Sequence, residues 1–156
     1  MQGPIGVFDS GIGGLTVVRE IFKQLPNETV TFFGDTARLP YGPKSSETVI
    51  QFSRQNTQLL LSRGVRSIVV ACNTASAVGL PTLERECPVP VVGVIVPGAE
   101  AALRETRNGR IGVIGTRGTI ASRAYDDYLA LHRPDVFVHG VPCPLLVPLA
   151  EEGWTD

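Results

Sequence analysis

The run Ser67-Ile-Val-Val-Ala71, followed at once by Cys72-Asn73-Thr74, decides how this chain folds. A short apolar run rich in β-branched residues predicts a buried strand. That strand stops on a thiol and two small polar side chains. Ligands of open α/β sheets bind beyond the carboxyl ends of the strands, so the position of Cys72 predicts a functional site.

Strand and helix patterns alternate on both sides of this run. Such alternation implies right-handed βαβ units and a mostly parallel sheet with helices on both faces, which is an α/β fold. Ser45 or Ser46 is a suitable N-cap for the second helix. The predicted strands span 5–8, 29–33, 67–71, 89–95, 110–114 and 135–141, and the predicted helices span 15–25, 45–62, 75–86, 97–105 and 120–131.

The pattern also predicts two domains. The segment Val94-Ile-Val-Pro-Gly98 is typical of a hinge, and a strand, Gly115-Thr116 and a helix then repeat the first unit in miniature. We expect residues 1–95 to form the main part of a first α/β domain and residues 96–156 to begin a second, incomplete one. From Pro148 a helix-like pattern begins that no further strand follows, which predicts a truncated chain.

Composition narrows the class of protein. Lys and Arg total 14 against 15 Asp and Glu, so charge gives no reason to expect nucleic acid or an anionic membrane as partner. The three cysteines lack metal-like or C-x-x-C spacing, which favours free thiols in a reducing compartment and no metal site. The N-terminus lacks signal-peptide features and no apolar stretch reaches transmembrane length, so we expect a cytoplasmic protein.

Small polar residues follow several predicted strands. Because parallel strands present their carboxyl ends at one edge, we expect these residues to share a crevice. Hydroxyl and amide groups near helix N-termini suit carboxylates, whereas a carboxylate such as Asp9 suits an ammonium group. The inventory favours an amino-acid ligand, with Cys72 as the reactive group. The residues are Asp9-Ser10, Asp35-Thr36, Cys72-Asn73-Thr74 and Thr116.

Each of these residues also has a purely structural interpretation. Free cysteine is among the most buried residue types, and Ser10 and Thr74 are suitable helix N-caps. The glycines between Gly11 and Gly14 do not match G-x-G-x-x-G and are sufficient for a tight turn alone. Tyr41 suits a loop anchor packed on the core. Residue chemistry by itself leaves both interpretations open.

Several motifs together resemble the glutamate racemase family of the aspartate/glutamate racemase superfamily, in the family's order and spacing along essentially the whole chain. The first three are specific in combination. They are Phe8-Asp-Ser-Gly-Ile-Gly-Gly-Leu-Thr-Val17, Gly34-Asp-Thr-Ala-Arg-Leu-Pro-Tyr-Gly42, Ala71-Cys-Asn-Thr-Ala-Ser76, Gly112-Val-Ile-Gly-Thr-Arg-Gly-Thr119 and Pro144-Leu-Leu-Val-Pro-Leu-Ala-Glu151.

The resemblance implies cofactor-independent racemisation of L-glutamate and D-glutamate, in which two cysteines exchange the α-proton across opposite faces of Cα. Cys72 matches the cysteine expected to act on D-glutamate, Asp9 matches a residue that assists its proton transfer, and Glu151 matches a glutamate that supports the second cysteine's histidine. The substrate contacts implied by the resemblance are Asp9, Ser10, Pro40, Tyr41, Gly42, Asn73, Thr74 and Thr116. The implied role is the supply of D-glutamate for peptidoglycan synthesis, with a homodimer as an expected assembly.

One departure from the family pattern limits this expectation. The family's second cysteine belongs to a Gly-Cys-Thr-His segment that the 156 residues do not contain, and Cys143 lies in Pro-Cys-Pro instead. We therefore expect these residues to contain only one of the two cysteines that transfer the proton, namely Cys72. The alternatives are a non-catalytic amino-acid-binding fragment and, within the superfamily, an aspartate racemase or a single-cysteine decarboxylase.

Overall fold

The computed structural model describes residues 3–154 as alternating strands and helices. Every predicted strand is present, and four of the five predicted helices are recovered with their ends moved by up to two residues. The strands are β1 Ile5–Asp9, β2 Val30–Gly34, β3 Ser67–Val70, β4 Val91–Gly93, β5 Arg110–Gly115 and β6 Phe137–Pro142. The helices are α1 Leu15–Gln24, α2 Ser46–Ser62, α3 Asn73–Glu86, α4 Ile95–Glu105, α5 Arg117–Ala121, α6 Ala124–His132 and α7 Leu146–Glu151.

The first four strands form one parallel sheet in the order β2-β1-β3-β4. β1 is central and pairs in register with β2 and β3, so Phe8 lies between Phe33 and Val70. Because both of its neighbours are hydrogen-bonded strands and both faces are covered by helices, every residue of β1 is buried. The expected parallel α/β fold is confirmed.

Alternating side chains of β1 and β3 build two cores, one on each face of this sheet. Ile5 and Val7 pack with Val18 of α1 on one face. Phe8 and Ile68 pack on the other face with side chains of α2 and α3. The period of two along each strand therefore divides the apolar side chains between the two helical layers.

The last two strands form a separate parallel pair, β5 and β6. Helix α4 leads from the first sheet to the second and packs against α6. Large apolar side chains stay exposed on this pair, for example Ile114 and Phe137. Within residues 3–154, no helix combines the length and the apolar character that crossing a membrane requires.

Several element boundaries differ from the sequence-based expectation. The helix expected over 120–131 is divided, because Arg123 adopts a left-handed conformation with φ of 58° between α5 and α6. The strand expected over 89–95 ends at Gly93, and α4 begins at Ile95 rather than at Pro97. Proline is tolerated there because the first turn of a helix needs no backbone N–H donor.

Candidate active site

Cys72 occupies the N-cap position of α3, directly after β3. Its Sγ accepts a hydrogen bond from the Ala75 N–H at 3.5 Å and donates one to the Ser10 Oγ at 3.5 Å. The side chain is buried, with 5% of its surface exposed. The thiol therefore replaces the usual hydroxyl or carboxylate cap, and Thr74 lies inside the helix instead of capping it.

The surroundings of Cys72 act on its pKa in opposite directions. Burial raises the pKa of the thiol, and the nearby negative charge of Asp9 raises it further. Hydrogen bonds with Ser10 and with the Ala75 N–H lower the pKa, but they do not overcome the first two effects. The free protein therefore holds Cys72 mainly as the neutral thiol at pH 7.

The glycine-rich turn after β1 wraps around the Asp9 carboxylate. Its Oδ2 accepts a hydrogen bond from the Gly11 N–H at 3.0 Å. A Cβ at Gly14 would lie 2.6 Å from the Asp9 Cβ and 3.1 Å from the Ala71 Cβ, so only glycine fits against the carboxylate there. Ser10 follows Asp9 directly and reaches Cys72 from the same turn.

Three threonine hydroxyls meet where the two sheets approach each other. The Thr74 Oγ1 lies 2.8 Å from the Thr116 Oγ1 and 3.3 Å from the Thr119 Oγ1, and the last two are 3.1 Å apart. Thr116 was expected at the edge of the same sheet as Cys72, but it follows β5 of the second sheet. Thr119 was missed, although its spacing of three from Thr116 at a helix start was a signal for it.

The loop after β2 places its predicted residues in different surroundings. The Tyr41 side chain is buried; its hydroxyl donates to the Asp35 carboxylate and accepts from the Asn56 Nδ2 at 3.0 Å. Asp35, expected in the shared crevice, is instead buried against Tyr41 and Arg38 and does not line the cavity beside Cys72. Pro40 and Gly42 line a small gap beside Thr116, and a Cβ at Gly42 would collide with the Thr116 side chain.

Asn73 and Glu151 each contact another part of the chain. The Asn73 Oδ1 accepts a hydrogen bond from the Tyr125 hydroxyl of α6 at 2.7 Å. The Glu151 Oε1 accepts one from the Ile12 N–H at 3.1 Å, which ties α7 to the glycine-rich turn. Tyr125 had not been singled out from the sequence, because nothing in its local pattern indicates a contact 52 positions away.

Part of this set lines a cavity of about 340 Å³ between the two sheets, whereas Pro40, Tyr41 and Gly42 of the loop after β2 do not line it. Its mixture of carboxylates, hydroxyls, an amide and one thiol can hold a small molecule with both carboxylate and ammonium groups. No cluster of three or more His, Cys, Asp or Glu side chains within 3–154 is arranged as a metal site. The lining includes Asp9, Ser10, Gly13, Cys72, Asn73, Thr74, Thr116, Leu146, Val147 and Glu151.

The sequence and the fold of this chain are similar to those of known proteins. A family model described as Asp/Glu/Hydantoin racemase matches residues 5–144. A glutamate racemase from Geobacter metallireducens is 57% identical over 152 residues, which cover 97% of this chain and 56% of that relative. The chain thus spans just over half the length of this curated relative.

Two solved structures match over a similar share of this chain at lower sequence identity. A glutamate racemase isoform from Bacillus anthracis superposes with a TM-score of 0.92 at 46% identity, covering 95% of this chain and 56% of that one. A glutamate racemase from Francisella tularensis in complex with D-glutamate superposes with a TM-score of 0.91 at 41% identity, covering 99% of this chain and 58% of that one.

Proposed function

Because the chain belongs to the Asp/Glu/Hydantoin racemase family, we propose that it carries the Cys72 half of a cofactor-independent glutamate racemase site. The observation that supports this most directly is the position of Cys72. The thiol caps α3 at the wall of a cavity of about 340 Å³ and shares that cavity with Asp9, Asn73 and Thr116. Glutamate is the proposed substrate because the relatives described above are named for it.

Binding would place the charges of the substrate against complementary groups. Asp9 offers a carboxylate to the ammonium group, while Thr74, Thr116 and the amide of Asn73 offer hydrogen bonds to carboxylates. An ammonium group beside Asp9 offsets the charge that raises the pKa of Cys72. The substrate therefore increases the thiolate fraction of the base that acts on it.

The chemical step is a proton transfer. The Cα–H bond breaks, its electron pair stays on Cα, and the proton goes to the Cys72 Sγ. Fixed dipoles and the exclusion of water stabilise the carbanion. Return of a proton from the same thiol restores the original configuration, whereas inversion needs a donor on the opposite face. The Gly-Cys-Thr-His segment that supplies this donor in the family does not occur in these 156 residues.

Further roles complete the proposal. Pro40, Tyr41 and Gly42 would form the loop over the ligand, with Tyr41 acting through its backbone because its hydroxyl is engaged by Asp35. Glu151 would support the histidine that accompanies the family's second catalytic cysteine. Residues 1–95 and 96–156 would be parts of two domains that close on the substrate.

The cellular role proposed here rests on the family resemblance. The complete protein would make D-glutamate for peptidoglycan synthesis. It would act in the cytoplasm as a homodimer.

Exchange of the α-proton in heavy water tests this function. D-glutamate and L-glutamate are incubated separately with the chain, and the Cα–H signal is followed by NMR with chiral analysis of the product. We expect D-glutamate to gain deuterium with retention of configuration and L-glutamate to stay unlabelled. Cys72→Ala should abolish exchange. Cys87→Ala should not, because Cys87 lines a different cavity beside Arg54.

Each other outcome contradicts a stated part of the proposal. Net inversion would contradict the one-base half-site. Exchange of aspartate in preference to glutamate would favour the aspartate racemase alternative. If glutamate protects Cys72 from alkylation but exchanges no proton, the chain is an amino-acid-binding fragment and the catalytic proposal fails.

A further inference from the structure

Tyr125 connects the second half of the chain to the candidate active site. It lies in the first turn of α6, and its hydroxyl donates to the Asn73 Oδ1 at 2.7 Å. Asn73 is the first residue of α3 and lines the cavity that also contains Cys72. The hydroxyl also lies close to α4, because a Cβ at Gly98 would be 3.3 Å from it.

We propose that Tyr125 is a positioning residue that fixes the Asn73 amide so that its Nδ2 protons face a carboxylate of the ligand. This inference rests on the proposed function, because it concerns how that site recognises a carboxylate of its substrate. Tyr125 has no reacting atom to contact and acts only through Asn73.

The argument depends on the two unlike ends of a primary amide. Its oxygen only accepts hydrogen bonds and its nitrogen only donates them. When Tyr125 donates to the oxygen, the nitrogen is the end that Asn73 can offer to the cavity. A donor facing the cavity favours a carboxylate and disfavours an ammonium group at that position.

The state of the Tyr125 hydroxyl suits this role. Burial raises the pKa of Tyr125 above its ordinary value, so the phenol keeps its proton throughout the neutral range. The hydroxyl lies close to Gly98 of α4 as well as to Asn73. Because the Tyr125 hydroxyl already holds the Asn73 side chain in place, Asn73 loses less conformational entropy when a ligand binds.

Protection of Cys72 from alkylation by glutamate measures the effect. The Tyr125→Phe variant removes only the hydroxyl, and we expect the glutamate concentration for half-protection to rise about 3- to 10-fold, the range of one net hydrogen bond. The alkylation rate of Cys72 without glutamate should not change. The matched control is Tyr128→Phe on the same helix, because its hydroxyl donates to Glu100 instead.

A double-mutant cycle separates positioning from a general structural effect. If Tyr125 acts through Asn73, Tyr125→Phe should have no further effect on half-protection in an Asn73→Ala background. Gly98→Ala provides a second perturbation, since it crowds the hydroxyl while adding a residue that favours helix. It should weaken protection in the same direction, and thermal unfolding checks that each variant is folded.

The remaining outcomes overturn the inference or its basis. If the glutamate concentration for half-protection is unchanged in Tyr125→Phe, the positioning role is contradicted. It is also contradicted if Tyr125→Phe raises that concentration by the same factor in the Asn73→Ala background. If glutamate does not protect Cys72 in the unmodified chain, the proposed function itself fails. That result is distinct, because it appears before any variant is made.

Discussion

At the scale of single residues, the chemistry of Cys72 is controlled by its charged neighbour. The Asp9 carboxylate and burial both raise the pKa of the thiol. In a Cys87→Ser/Cys143→Ser background, we expect the alkylation rate of Cys72 to rise with pH to a midpoint above that of an ordinary free thiol. Asp9→Asn should lower this midpoint and speed alkylation at pH 7, because it removes a negative charge that opposes thiolate formation.

A second substitution gives the opposite sign and serves as the control. The Ser10 hydrogen bond lowers the pKa of Cys72, so Ser10→Ala should move the alkylation midpoint to higher pH. Rate-against-pH profiles of the three proteins check both signs. An unchanged midpoint in Asp9→Asn would show that the Asp9 charge does not raise the pKa of Cys72.

The sequence predicts which residues share a crevice more readily than it predicts the packing around each of them. Cys72, Asp9 and Thr116 were chosen from strand ends, and all three line one cavity. The demand for glycine at Gly14 was not visible, because it arises from the Asp9 side chain that lies against it only after folding. The spacing of Thr119 from Thr116 predicts that these two hydroxyls lie close together, but the contact of Thr119 with Thr74 depends on how the two sheets pack.

At the scale of elements, the loop after β2 is fixed to α2 by a buried hydroxyl. The Tyr41 hydroxyl bridges Asp35 and Asn56, and Arg38 also binds both of them. We expect Tyr41→Phe to lower the free energy of unfolding by about 1–3 kcal/mol, since removing the hydroxyl leaves buried polar partners unsatisfied. Denaturant unfolding measures the change.

The matched control for this substitution is another tyrosine-to-phenylalanine change. Tyr128 donates to Glu100 at the surface of α6, where water can replace the lost hydroxyl. Tyr128→Phe should leave the unfolding midpoint nearly unchanged. Equal effects of the two substitutions would mean that the Tyr41 bridge adds no stability beyond a surface contact.

Element types were predictable because their periodicities are strong, and boundaries were not. The sequence offers Ser45 or Ser46 as the N-cap of α2, and in the structure the cap is Ser45, whose Oγ accepts from the Thr48 N–H at 3.3 Å. The break between α5 and α6 depends on the left-handed conformation of Arg123. Glycine is the usual sequence signal for that conformation, and the residue here is an arginine. The start of α3 at Asn73 depends on a thiol acting as the cap, which is outside the usual set of capping residues.

At the scale of the whole molecule, the candidate site belongs to neither sheet alone. The Gly118 N–H donates to the Gly42 carbonyl oxygen at 3.0 Å across the boundary between the two halves of the chain. Thr74 and Thr116 meet at the same boundary. Local sequence patterns predict which residues lie at strand ends. They do not predict the distance between the two sheets, because that distance depends on how the two sheets pack.

Gly42 is the residue at which this boundary is most sensitive. An added Cβ would collide with the Thr116 side chain, so Gly42→Ala must displace one of the two segments, and we expect the second half of the chain to move away from the first. We expect faster alkylation of Cys72 and weaker protection by glutamate, because the cavity opens and its carboxylate-binding hydroxyls separate. Gly79→Ala is the matched control: Gly79 is also buried, but an added Cβ there makes ordinary contacts, the nearest at 3.5 Å to the Ser53 Oγ. Unchanged alkylation of Cys72 in Gly42→Ala would show that the cavity keeps its shape without close contact between the two halves.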